Sequence, residues 1–292
     1  MDGTDTVARD FETHRTHLRA VAYRMLGSLA EADDAVQEAW LRLARSDTSD
    51  IGNFGGWLTT VVARVCLDML RTRASRREDP LDVQVPDPIV SPIAGADPEQ
   101  QALLADSVGL ALLVVLDTLS PTERLAFVLH DVFAVPFEEI AAILNRSPAA
   151  AKQLASRARR RLSSAASVPA VDPRQRQIVL DAFLAAAREG DFEGLLAVLD
   201  PDVVLRADAG SGPMGPSQLL RGRLAVASQA LRYTGLARFA QPVLVNGEPG
   251  FLVAADGQLL AVLGLTIRKD RIVEIDILAD PERLHRLDLP RS

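Results

Sequence analysis

Apolar residues recur at helical spacing through the first 165 positions and at mixed helical and alternating spacing after residue 172. Leu18, Val21, Ala22, Met25 and Leu26 form one stripe, and Ala32, Ala35, Val36, Ala39, Trp40 and Leu43 form a second, with Gly27-Ser28 between them. The i, i+3, i+4 rhythm places each set on one face and predicts two packed helices between Phe11 and Arg45. After a loop over Ser46 to Gly56, Trp57, Leu58, Val61, Val62, Val65 and Met69 predict a third helix, Trp57 to Arg73. Residues 79–99 break the pattern with Pro80, Pro86, Pro88, Pro92 and Pro98, which exclude a continuous helix and predict a solvated linker.

Helical spacing returns at Gln100 to Thr118. Ser120-Pro121-Thr122-Glu123 then supplies an N-cap, a proline at the first helical position and a glutamate three residues on, predicting a helix to about His130. Phe137 to Leu144 is a short apolar helix. It ends at Asn145-Arg146, and Ser147-Pro148 opens another, so residues 136–162 predict a helix-turn-helix. Ala151, Leu154, Ala158 and Leu162 give the last helix its buried stripe. After a small-residue linker the pattern predicts helices at Gln175 to Arg188, Phe192 to Leu199 and, for the most part, Leu219 to Leu231. Strands are expected at Val203 to Ala207, Val243 to Val245, Phe251 to Ala254, Leu259 to Ile267 and Ile272 to Leu278, with turns at Asn246-Gly247, Asp256-Gly257 and Lys269-Asp270. The expected architecture is multidomain: two all-α modules over residues 8–78 and 100–165, and an α+β domain over 172–288 with helices on one face of a curved antiparallel sheet.

Charge changes this picture more than composition does. The net charge of −7 argues against a nucleic-acid partner only if it is evenly spread, and it is not. No Asp or Glu occurs from Ile140 through Val171. The predicted recognition helix presents Lys152, Gln153, Ser156, Arg157 and Arg160, side chains suited to base edges and phosphates, with Arg159 and Arg161 beside them. A second basic patch is built from Arg64, Arg71, Arg73, Arg76 and Arg77, with Asp68 at helical spacing from Arg64 and Arg71. The second helix instead exposes Asp33, Asp34, Gln37 and Glu38 beside the apolar Leu41. Cys66 is the single cysteine, and the four histidines are scattered, so no metal or cofactor is expected. No signal peptide or apolar run of roughly 20 residues is present, which points to the cytoplasm and away from a membrane.

Two basic helical modules joined by an acidic linker, the second ending in a helix-turn-helix, resemble domains two and four of an extracytoplasmic-function (ECF) sigma factor. The resemblance rests on Asp33 to Leu43, Trp57 to Arg71, Leu119 to Arg124 and residues 136–162. It implies that Asp33, Asp34, Gln37, Glu38 and Leu41 dock on the β′ clamp helices of core RNA polymerase. It also implies that Arg64, Asp68, Arg71 and Arg73 meet the minus-ten promoter element, and that the second module, which meets the β flap, reads the minus-thirty-five element. Val65 stands where many relatives have Asn. The C-terminal part is similar to the cone-shaped SnoaL-like domain fused to one subgroup of these factors, where it is implied to regulate activity in cis. Asp208, Gly210 and Gly212 match that subgroup's Asp-Gly-rich loop, and Asp280, Pro281 and Leu284 its terminal motif. The linker offers Val85-Pro86-Asp87-Pro88 where many relatives carry Trp-Leu-Pro-Glu-Pro.

The resemblance implies a promoter-specificity subunit, monomeric when free, whose C-terminal pocket is a candidate small-molecule site. A ligand-responsive helix-turn-helix regulator acting without polymerase is the alternative, but it gives the Asp33 to Leu41 surface no role. Catalysis is not expected, because no His lies between His130 and His285 and Asp208, Asp256, Glu274 and Asp276 fit turns or rims.

Overall fold

The computed structural model describes residues 3–46, 51–76, 83–93, 109–166, 173–210, 215–287 and 289. The chain divides into two compact units, one of Met1–Asp79 with Val115–Ala166, the other of Pro80–Val114 with Ser167–Ser292. The first basic module and the second from Val115 onward therefore belong to one body, while the linker and the residues up to Val114 belong to the C-terminal one.

In the first unit, α1 (Gly3–Leu26), α2 (Leu29–Leu43) and α3 (Phe54–Arg76) pack on one another along the expected stripes. Leu18, Val21, Ala22, Met25, Leu26, Ala32, Ala35, Val36, Ala39 and Leu43 are buried. Gly27 takes φ 74°, and Ser28 accepts from the Glu31 N–H as the N-cap of α2. Helix α3 begins three residues before its expected start, because Asn53 caps it by accepting the Gly56 N–H at 3.0 Å. The second module consists of α4 (Leu110–Asp117), α5 (Pro121–Phe127), a π-helical turn (Val128–Val132), α6 (Phe137–Leu144) and α7 (Pro148–Ala166). The Ser120/Glu123 capping box forms as expected, but the helix it opens passes into the π turn rather than running on to His130 as an α-helix. The expected start of α4 at Gln100 lies outside the described residues.

The C-terminal unit places α8 (Pro173–Glu189), α9 (Phe192–Val198), α10 (Arg223–Arg232) and α11 (Thr234–Ala237) against a sheet, with α12 (Pro281–Leu284) near the end of the chain. The strands are β1 (Val90–Ser91), β2 (Leu199–Asp208), β3 (Gln218–Arg221), β4 (Ala240–Val245), β5 (Glu248–Ala255), β6 (Gln258–Arg268) and β7 (Arg271–Leu278), in the order β1-β4-β5-β6-β7-β2-β3. All three hairpin turns carry two residues with positive φ, the geometry that suits the right-handed twist of tight hairpins.

Three expectations need correction. The sheet is mixed, because β2 runs parallel to β7. Residues 218–221 form a strand, paired with Val204–Ala207, and Gly222 at φ 85° separates it from α10. The linker is not a solvated spacer over the part described: Val85 through Ser91 are buried, and Val90 and Ser91 pair with Val245 and Leu244 as an edge strand. Pro88 and Pro92 flank this short strand and lie outside its paired residues. Asn246 secures the register, its Oδ1 accepting from Ile89 N–H at 3.0 Å while its own N–H donates to Ile89 O at 2.8 Å.

Candidate nucleic-acid and polymerase interfaces

Asn145 ends α6 in the left-handed conformation, at φ 52° and ψ 52°. Ser147 Oγ then accepts from Ala150 N–H at 3.2 Å, so the chain turns sharply into α7. Ala151, Leu154, Ala158 and Leu162 are buried as the spacing requires. The opposite face carries Lys152, Gln153 and Arg160 exposed and Ser156 half-buried. Three arginines expected on DNA sit at its margins, engaged by acids of the same module. Arg159 Nε donates to Asp131 Oδ1 at 2.6 Å, Arg161 Nη1 donates to Glu123 Oε2 at 3.2 Å, and Arg157 Nε lies 3.6 Å from Glu123 Oε1. Burial works against charge on Glu123, but hydrogen bonds from Ser120 and the guanidiniums of Arg161 and Arg157 outweigh it and hold the carboxyl below the usual glutamate range. The residue that caps α5 thus also orients the flank of the recognition helix.

On α2, Asp33, Asp34, Gln37 and Leu41 are exposed and Glu38 is half-buried, all on one face. Arg19 holds Asp33 at 2.6 Å and Arg42 holds Glu38 at 2.9 Å. Leu41, 43% exposed amid these acids, is the apolar centre of the patch. On α3, Arg64, Asp68 and Arg71 are exposed on the outer face, with Arg71 Nη1 3.7 Å from Asp68. Arg73 differs: it pairs with Glu31 and donates to Leu26 O at 3.2 Å, tying α3 to the turn between α1 and α2.

The two modules meet around Arg124, which is 2% exposed. Its Nε and Nη2 donate to the backbone oxygen of Arg24 at 3.2 and 3.1 Å, and its Nη1 pairs with Asp117. Burial lowers its pKa, and Asp117 opposes that shift and keeps the cation favourable. The Arg24 guanidinium lies 5.1 Å from the Phe133 ring centroid, and His17 meets the same ring edge-on at 5.2 Å. Nothing in the periodicity of the sequence marked this junction. Burial also pushes the nearby Cys66 thiol up to about 12, so it is an inert core residue.

In the C-terminal unit the two motifs expected to be regulatory converge. Asp208 O accepts from Ala279 N–H at 2.7 Å, and Asp280 caps α12 by accepting from the N–H groups of Glu282 and Arg283. Gly210, at φ 51°, approaches so closely that an added Cβ would stand 2.2 Å from Asp280 Oδ2. Pro281 opens α12 and Leu284 is buried. Gly212 lies outside the described residues. Sequence reasoning missed the side chain that joins this cluster to the linker. Arg283 donates from Nε to Asp87 at 2.9 Å, from Nη2 to Val85 O at 2.6 Å and from Nη1 to Asp208 at 2.6 Å, while Val85 N–H donates to Asp208 at 3.2 Å. An arginine inside a terminal motif facing an aspartate in a Pro-rich linker was the available signal.

The same unit holds a partly open apolar cavity of about 120 Å³. Asp256 sits in a hairpin turn, and Glu274 and Asp276 alternate with the cavity-lining Ile275 and Ile277 of β7, on the other face. There Asp276 pairs with Arg206 at 2.9 Å.

Residues 11–76 match the family described as Sigma-70 region 2, and residues 109–162 match Sigma-70, region 4. Over 290 residues, 98% of each chain, this protein is 36% identical to the probable ECF RNA polymerase sigma factor SigI of Mycobacterium tuberculosis. The chain belongs to the ECF sigma factors. It is also 39% identical over 287 residues to the ECF RNA polymerase sigma factor SigJ of the same organism, covering 94% of this chain and 92% of that one. The crystal structure of SigJ superposes with a TM-score of 0.76 at 35% identity, covering 97% of this chain and all of that one. That match runs through the SnoaL-like C-terminal domain as well as the helical modules. As an ECF sigma factor, this protein acts with core RNA polymerase in promoter-specific transcription initiation. Among the described residues, no helix is long and apolar enough to cross a membrane.

Proposed function

We propose that this sigma factor docks on the β′ clamp helices through Asp33, Asp34, Gln37, Glu38 and Leu41. It meets the minus-ten element through Arg64, Asp68 and Arg71, and contacts the β flap with its second module. The minus-thirty-five element is read by Lys152, Gln153, Ser156 and Arg160. Arg157 and Arg159 meet DNA phosphates at the margins after leaving, or while sharing, their carboxylate partners. Arg73 acts mainly by holding α3 in place. The observation that carries this reading is the separation of one acidic, Leu-centred face on α2 from two basic faces on α3 and α7, since a regulator acting on DNA alone has no use for the first.

In this proposal the free chain is a cytoplasmic monomer held closed. A unit of about 130 residues has a radius of gyration near 14 Å. The minus-ten and minus-thirty-five elements lie roughly 80 Å apart at 3.4 Å per base pair. Modules joined at Arg124 do not span that distance, so polymerase binding separates them. The C-terminal domain regulates in cis by holding residues 85–91 rather than by catalysis. Run-off transcription with core polymerase is the decisive assay. A promoter-specific product that needs the Asp33 to Leu41 face supports the reading, whereas tight, specific operator binding by the free protein with no transcript would replace it with the repressor alternative.

A further inference from the structure

The cavity in the C-terminal unit is walled by Phe183 and Leu184 of α8, Val226 of α10, and Phe251, Ile275 and Ile277 of the sheet. Among its described lining residues, only Gln218, Gln229 and Tyr233 carry polar side chains, and all three are half-buried. No acid, base or histidine is among the described lining residues. A charged ligand would shed its hydration there and meet no counter-ion among the described lining, which is costly, whereas a neutral ring sheds only unfavourable hydration. Size selects further. At about 120 Å³ the space falls below the roughly 300 Å³ of sites for drug-sized molecules, and close to the ~150 Å³ of apolar cavities that stay dry and take up benzene.

The walls of this cavity are continuous with the contact on the linker. Along β2, Ala207 lines the cavity while Asp208, next in the chain, points the other way to Arg283 and Val85; Ala209 lines it again. Ala279 lines it where β7 ends, immediately before Asp280, and its N–H donates to Asp208 O. The three alanines thus alternate with, or adjoin, the residues that seat Arg283 on Asp87.

We infer that the cavity is a receptor site for a neutral, mainly hydrocarbon molecule about the size of one ring, carrying at most one hydroxyl or carbonyl, and that the Arg283 clasp on the linker reads its occupancy. This rests on the reading of the C-terminal domain as a regulator in cis. An occupant orders the ends of β2 and β7, and a ligand that binds the ordered arrangement better than the opened one stabilises it in proportion to its concentration. Occupancy therefore tightens the hold on residues 85–91.

The test uses the full-length chain with toluene, p-cresol and benzoate as probes. Binding is followed by calorimetry, and linker opening by hydrogen exchange of peptides covering residues 83–93. Toluene and p-cresol bind, benzoate binds at least about thirtyfold more weakly, and at ten times Kd the exchange of the linker slows by up to about tenfold. Ala187→Leu, which fills the cavity from α8 with a residue of good helix propensity, abolishes both effects; Ala230→Leu in α10 serves the same purpose if the first variant folds poorly. Failure of both neutral probes to bind, equal binding of benzoate, or binding with unchanged linker exchange would each overturn the inference. Failure of the regulatory reading looks different: transcription unchanged by deletion of residues 172–292, with p-cresol binding intact in the full chain.

Discussion

Asp276 shows how much one side chain can set the behaviour of a domain. It is 2% exposed, and burial pushes its pKa from 3.8 to about 6, with Arg206 opposing the shift and Glu274 adding to it. A raised carboxyl pKa means the folded state binds the extra proton, so this group favours folding at low pH and that contribution is lost as pH rises from about 3.8 to about 6. The span corresponds to something on the order of 2–3 kcal/mol. Denaturant melts of the C-terminal transition across that window should show the decline in wild type and a flatter profile in Asp276→Asn. A steep decline persisting in the variant would place the titration elsewhere. Gly210 is a second such position. Alanine there meets both a strained positive φ and Asp280 Oδ2, and we expect a loss of roughly 2 kcal/mol, read as a lower denaturation midpoint at constant m. Residues of this kind were partly legible beforehand. Glycine two residues after Asp208 announced a tight loop, but the partner it makes room for, Asp280, lies 70 positions away in sequence and only the sheet brings it close.

At the scale of elements, patterning foretold whatever rests on local chemistry. The Asn246-Gly247, Asp256-Gly257 and Lys269-Asp270 turns, the Ser120/Glu123 box and the Ser147-Pro148 start of the recognition helix all formed, because each depends on a few adjacent residues. What stayed hidden depends on distant pairing. Strand β1 is two residues long and exists because β4, about 150 positions later, offers it an edge. Strand β3 looked helical because its apolar residues continue into α10, and only Gly222 breaks the run. Recognition by α7 is testable at this scale. Lys152→Ala and Gln153→Ala should each weaken promoter-specific binding of the holoenzyme by about 1–3 kcal/mol, Gln153→Ala with relaxed base preference at one position of the upstream element. Arg159→Ala should instead weaken all sequences alike and reduce the salt slope by about one phosphate's share, if the arginine leaves Asp131 for DNA. An unchanged slope would mean that the ion pair persists in the complex.

For the whole molecule, the junction of the helical modules is the feature that sequence periodicity could not disclose. Arg124 is buried in α5, and its acceptor is a backbone carbonyl 100 positions away. Asp117→Asn removes the charge partner while leaving the shape, so the buried guanidinium is left uncompensated at a cost of roughly 3–5 kcal/mol. If the closed form is the resting state, this variant should show a larger radius of gyration in solution scattering and a higher yield of run-off transcript per holoenzyme. Compact scattering with unchanged transcription would count against closure as a control point. Arg283→Ala addresses the other unit. Loss of its charged hydrogen bonds, about 2–3 kcal/mol in total, should expose residues 83–93 to protease without altering the melt of the helical unit.

Release of the linker carries a liability of its own. The edge of β4 is guarded in two ways: Pro242 denies an added strand one donor in its first half, and the linker's Val90 and Ser91 cover Leu244 and Val245 in its second. A chain whose linker has left keeps only the proline. Leu244, with its backbone N–H and C=O no longer paired, then stands open at a sheet margin, ready to accept any extended segment, including the linker of another copy. The clasp therefore keeps the resting protein from templating its own association, and mutants that weaken it should become prone to aggregate in proportion to the time they spend open.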